Sequence, residues 1–287
     1  MDKNIIRFIR NKSLDEENDE EALKDYISAE AARQSVMWSR LVQELLKDKG
    51  YSETRLANEC MLDSDTILMW TQGELPIGRT PLLKIGMSSG FDVKKLNRYL
   101  LRCGSSFPLA ESSCEDLICR FFIDIENGAG IYSDYLHLKR IIEHSISMKV
   151  SYTSYCDGKL ADFMCRNQSL FETKVDILYN FFENNIYLNS SEESRCLHVK
   201  MLPCRDEVII YGINMRKSVS ELDATLISLG MEPLYMLNPF EAALVFAMSC
   251  IERYGLQEEE SGVAEIANIM SEMGFNGHRI TEFLEME

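Results

Sequence analysis

The chain has 287 residues, 46% of them apolar and 26% charged, which excludes wholesale disorder and a fibrous repeat and suffices for one large domain or two ordinary ones. Thirty Lys and Arg stand against 46 Asp and Glu, a net charge of −16, so the chain as a whole lacks the basic footprint of a phosphate-backbone binder and is repelled by nucleic acid and anionic membranes at long range. The charge is unevenly placed: residues 41–104 carry nine basic and eight acidic side chains, whereas residues 105–287 carry 14 and 29.

The first residues, Met1-Asp2-Lys3-Asn4-Ile5-Ile6-Arg7, are charged and lack the apolar core of a signal peptide. No run approaches 18 apolar residues, so no membrane span is expected. Nine scattered cysteines, an odd number, suit a cytoplasmic protein with reduced thiols. The acidic run Asp15 to Glu21 reads as a solvated lead-in. Helical periodicity then runs over 20–49, through Ala22, Leu23, Tyr26, Ile27, Ala31, Val36, Met37, Leu41, Leu45 and Leu46, and Gly50 stops it. Four short helices are expected at 53–60, 64–72, 79–89 and 93–103, punctuated by Gly73, Gly90 and Gly104. Two more follow Pro108, at 112–126 and 133–147.

The stretch 148–160 fits either an extended segment or a short helix closed by Gly158. Helix resumes at 168–184, and 185–200 is polar and loop-like. Helices at 204–215, 218–229, 239–254 and 262–274 complete an all-α chain. The segment 239–254 is apolar nearly all round, as in a buried central helix or a homodimer seam.

Two stretches repeat at a spacing of 126 residues. Leu96-Asn97, Leu100-Leu101 and Gly104 match Leu222-Asp223, Leu226-Ile227 and Gly230. A Pro-Leu corner follows each, Pro108-Leu109 and Pro233-Leu234, with a one-residue slip that the alignment of Glu115 with Glu241 recovers. Upstream, Gly86 matches Gly212. Glycine permits the left-handed stop and proline forbids continuation, so each copy reads as helix, helix, stop, corner, helix.

Residues 41–73 carry a second pattern. Leu56-Ala57 supplies an apolar and a small residue, and Cys60, Leu62, Ile67 and Trp70 recur at core spacing between Gly50 and Gly73. Over residues 38–104 this resembles the Cro/repressor-type (XRE) helix-turn-helix family. The resemblance implies a second motif helix that enters the major groove and reads bases with its N-terminal residues. Here those positions are Asp63, Ser64, Asp65, Thr66, Leu68 and Met69, with Lys47, Lys49, Arg55, Arg79 and Lys84 available to clamp phosphates. Two features depart from the family: the reading positions include two carboxylates and no cation, and Met61 stands where the turn glycine belongs. If the repeat carries its own motif helix, Lys149, Ser151, Tyr152 and Ser154 would be its reading set, separated from the matching C-terminal helices by an insertion at about 161–200.

The four histidines and nine cysteines show no zinc-like spacing, and no phosphate loop, dinucleotide fingerprint or nucleophile elbow occurs. No cofactor and no enzymatic activity are expected. The expected organisation is a helical lead-in at 1–37, a helix-turn-helix domain at 38–126, and an acidic helical domain at 127–287 that partly repeats the first. Two functions fit: a DNA-binding transcription regulator, or a protein-protein adaptor or inhibitor that uses the helix-turn-helix as a scaffold and an acidic surface for its partner.

Overall fold

The computed structural model describes residues 3–14, 20–102, 106–126, 130–147, 158–186, 202–254 and 262–285. Those residues form helices and connecting turns, with no strand among them. In chain order the helices are α1 (Lys3–Asn11), α2 (Glu20–Lys49), α3 (Glu53–Cys60), α4 (Ser64–Thr71), α5 (Thr80–Ser88), α6 (Val93–Arg102) and α7 (Cys114–Glu126). They continue with α8 (Tyr132–Ser147), α9 (Gly158–Ile186), α10 (Arg205–Asn214), α11 (Val219–Ser228), α12 (Pro239–Tyr254), α13 (Gly262–Glu272) and α14 (Gly277–Leu284). The all-α expectation is met. No helix among the described residues is long and apolar enough to cross a membrane.

Three elements differ from the periodicity reading. α1 forms where only a charged start was read, because Ile5 and Phe8, three apart, bury one face. α9 begins at Gly158, ten residues before the expected start. α14 extends the chain's helical content past the expected end at 274. Most of the ambiguous stretch 148–160 lies outside the described residues.

α2 is the spine. Leu23, Ile27, Ala31, Gln34, Trp38 and Val42 are buried at three- and four-residue steps along its 30 residues. The N-terminal part of this stripe belongs to one hydrophobic core, shared with α1 and α10 to α14. The C-terminal part belongs to a second core, built from α3 to α8 and the first half of α9. The cores therefore part within α2, between Ala31 and Trp38, and within α9, between Val175 and Leu178. α12 lies inside the first core, with thirteen consecutive residues from Pro239 to Ile251 buried.

Two segments of the chain make the same contacts. A β-carbon on Gly86 would strike Leu96, and one on Gly212 would strike Leu222, so each glycine admits the next helix at close range. Asn97 Oδ1 accepts from the Leu109 amide at 2.8 Å, and Asp223 Oδ1 accepts from the Leu234 amide at 2.7 Å. Asp116 accepts from the Ala110 amide at 2.9 Å, and Glu241 from the Tyr235 amide at 2.5 Å, each six residues back. The counterpart of Glu241 is thus Asp116 rather than Glu115. The slip at the proline persists through the following helix, because the carboxylate has to reach the corner amide.

Candidate functional site

α3 starts at Ser52, whose hydroxyl accepts from the Arg55 amide at 3.2 Å. Leu56, Ala57 and Cys60 are buried on α3, and Ile67 and Trp70 on α4. Trp70 meets Trp38 of α2 edge-on at 5.3 Å. The turn between the helices passes through Met61 at φ +52°, the left-handed conformation usually left to glycine. Its side chain points to solvent. α2 fixes the far end of α4: Ser39 and Gln43 donate to the Thr71 carbonyl at 2.6 and 2.9 Å, and Ser35 donates to that of Gly73.

This arrangement turns Asp63, Asp65 and Leu68 outward, with Ser64 half-buried. Thr66 is 6% exposed, and its hydroxyl accepts from Arg279 Nη1 at 3.1 Å. The same guanidinium reaches Met69 Sδ at 3.7 Å and Glu74 at 3.6 Å. α14 therefore lies over two of the expected reading positions. Arg55 pairs with Glu59 at 3.3 Å and stacks 3.9 Å above the Tyr51 ring. Lys47 and Lys49 are exposed at the end of α2.

One expected phosphate clamp, Arg79, is corrected by its burial, and the half-buried Lys84 has a backbone partner. Arg79 is buried against Asp116 at 3.0 Å, and Lys84 donates to the Met61 carbonyl at 3.2 Å beneath the Tyr132 ring. Lys149, Ser151, Tyr152 and Ser154 lie outside the described residues.

α13 and α14 form a second pair of consecutive packed helices. Met270, Gly274, Ile280 and Phe283 stand at the spacing of Ala57, Met61, Ile67 and Trp70. The two turn residues share the left-handed conformation, Gly274 at φ +89°, and the other three in each set are buried. Asn276 caps α14 through the Arg279 amide. The periodicity reading ended at 274 and missed this pair. The shared signal is the 4-6-3 spacing of buried, turn and apolar positions, with Met270 where the first pair has the small Ala57. Arg279 occupies in the second pair the place of Thr66 in the first, so the two second helices touch through equivalent positions.

A buried ionic centre lies where α5, α7, α10 and α12 begin. Arg205 donates to Glu241 at 2.9 and 3.2 Å and to the carbonyls of Glu232 and Pro233. Asp206 accepts from the Arg79 and Thr80 amides at 2.8 and 2.7 Å, capping α5 from across the molecule. Glu115 accepts from the Arg205 amide at 3.1 Å at the start of α10. Gly78, at φ +79°, makes room for this, since a β-carbon there would run into the Asp206 carboxylate. Burial raises the Glu115 carboxyl to about 7 and pushes Asp206 upward.

These charges satisfy backbone amides and one another, and they line neither of the two best-formed pockets. Burial also pushes the Cys60 and Cys114 thiols to about 12, far from thiolate reactivity. Among the described residues no group of three His, Cys, Asp or Glu is placed to hold a metal ion. No protein-family model, curated protein or solved structure matches the chain.

Proposed function

We propose that the chain is a non-enzymatic regulatory protein in which two helix-turn-helix units of the XRE-like kind, α3–α4 and α13–α14, form a scaffold for binding another protein. On this reading the two segments with matching contacts are copies of one helical unit. The observation that carries it is Arg279. It fills the face of α4 at Thr66 and Met69 that a major-groove reader needs open. What α4 leaves exposed is Asp63, Asp65 and Leu68, two carboxylates and an apolar side chain, which repel phosphates and offer little to base edges. A second reading, a DNA-binding transcription regulator, rests on the exposed Lys47 and Lys49 beside the α3–α4 pair.

A mobility-shift assay with a pool of random-sequence duplexes at low salt separates the two. The protein-binding reading expects no retention by the full chain. Retention that falls steeply as salt rises would establish duplex binding and overturn it.

A further inference from the structure

α6 is amphipathic in an unusual sense. Leu96, Tyr99 and Leu100 are buried, while Lys94, Lys95, Arg98, Leu101 and Arg102 face solvent. The helix carries no carboxylate. Lys95 lies 4.2 Å over the Phe91 ring. Among the described residues no carboxylate stands within ion-pair distance of Lys94, Arg98 or Arg102, although the chain holds 46. At helical spacing, positions 94, 98, 101 and 102 share one face, with Leu101 at the edge of a stripe of cations.

That stripe borders a groove of about 310 Å³, whose lining includes Tyr26, Glu30, Arg33, Leu101, Tyr235 and Leu237. Leu101 and Leu237 are each 54% exposed. On the α2 side the apolar surface continues to Met37, which meets Arg33 at 3.7 Å, and to Val36, 71% exposed. Arg33 itself is neutralised by Glu30 at 2.7 Å. The face thus combines a row of cations on α6, without an ion pair among the described residues, with a groove of mixed lining in which Leu101 and Leu237 are exposed.

We propose that this α2–α6 face docks an acidic segment of a partner protein, with one or two apolar side chains in the groove and carboxylates on Lys94, Arg98 and Arg102. Charge complementarity selects this occupant. A duplex would supply the anions, but it would set phosphates against Leu101 and Leu237 and leave the groove empty. A second copy of the chain in a two-fold contact would bring cation stripe against cation stripe. The inference rests on the protein-binding reading and gives it a surface and a partner chemistry.

The test is selection of random 16-residue peptides, displayed on phage, against the full-length chain. The strongest binders are then remade with a fluorescent label and measured by anisotropy. Enriched peptides are expected to combine Asp or Glu with Leu, Ile or Phe. Their affinity should fall about tenfold or more in the Arg98→Glu/Arg102→Glu double variant and in Leu101→Asp. All three positions are exposed, and unchanged thermal unfolding verifies that the variants fold.

No enrichment, or peptides whose binding ignores both variants, would overturn this site and leave the protein-binding reading standing. Self-association of the wild-type chain that is lost in Leu101→Asp would assign the face to a second copy instead. Binding of a random duplex pool that is lost in Arg98→Glu/Arg102→Glu would overturn both the site and the reading it rests on.

Discussion

The two buried arginine clasps hold equivalent places and differ in completeness. Arg205 is engaged at all three of its guanidinium nitrogens, by both oxygens of Glu241 and by two corner carbonyls. Arg79 approaches Asp116 to 3.0 Å, yet its Nε and Nη2 and the facing Asp116 Oδ1 lack hydrogen bonds of sound geometry. Close approach without alignment recovers the Coulomb attraction and little of the directional bond. A buried guanidinium is costly unless its donors are satisfied. The second segment therefore anchors its Pro-Leu corner through its arginine. The first anchors its own through Asn97 and Asp116, while the Arg79 amide is held by Asp206 from the other segment.

Arg205→Ala breaks this comparison most severely. It strands a buried Glu241 and frees the carbonyls of Glu232 and Pro233, which should cost about 3–5 kcal/mol. Arg79→Ala strands Asp116 but, among the described residues, no carbonyl, and should cost less. Urea unfolding of the two variants checks the order. If Arg79→Ala is the more damaging, the inequality drawn from the bonding of the two guanidiniums is wrong.

Much of this was legible in the residues. α3 starts where Ser52 predicts a cap, and α2 stops before Gly50; Gly86 and Gly212 stand out as a matching pair in the residues, and the structure adds the close helix contact at each. The clasps were not legible. Arg79 and Asp116 are 37 positions apart, and nothing local distinguishes an arginine bound for the interior from one bound for a phosphate. The acidic residues after the two corners invited a match of Glu115 with Glu241. Only the reach of each carboxylate to its corner amide shows that Asp116 is the partner. Thr66 failed as an outward position for a similar reason. Its cover comes from Arg279, 213 residues on, in the eight-residue α14, past the last helix expected from the residues.

Glu115 sharpens the comparison through pH. Its counterpart in the second segment is the apolar Phe240, so only the first segment carries this extra carboxyl into the ionic centre. Burial raises its pKa to about 7, above the ordinary value of 4.5. Between those values the folded chain holds a proton that the unfolded chain has released. The contribution of this group to stability is therefore intact below about pH 4.5 and declines as pH rises to about 7. Glu115→Gln keeps an oxygen for the Arg205 amide and removes the titration. The variant should match the wild type at pH 4.5 and exceed it at pH 8, by on the order of 2 kcal/mol. A wild-type minus variant difference that is flat in pH would show that Glu115 stays charged in the fold.

The helical pairs supply the smallest and most selective contrast. Both second helices begin at a residue with the right chemistry for a cap, Asp63 on α4 and Asn276 on α14. Only Asn276 uses it, accepting from the Arg279 amide at 3.3 Å, whereas the Asp63 side chain makes no cap bond. That cap orients the turn from which Arg279 reaches Thr66, Met69 and Glu74. Asn276→Ala should cost about 1 kcal/mol and loosen the contact between the two second helices. Asp63→Ala should cost close to nothing and remove one exposed negative charge. Thermal unfolding reads the first effect, and amide hydrogen exchange at Thr66 and along α4 reads the second. Equal losses from the two substitutions would mean that Asp63 caps α4 in solution. The two pairs would then be alike where the structure sets them apart: in how firmly each second helix is started, and so in which of them covers the other.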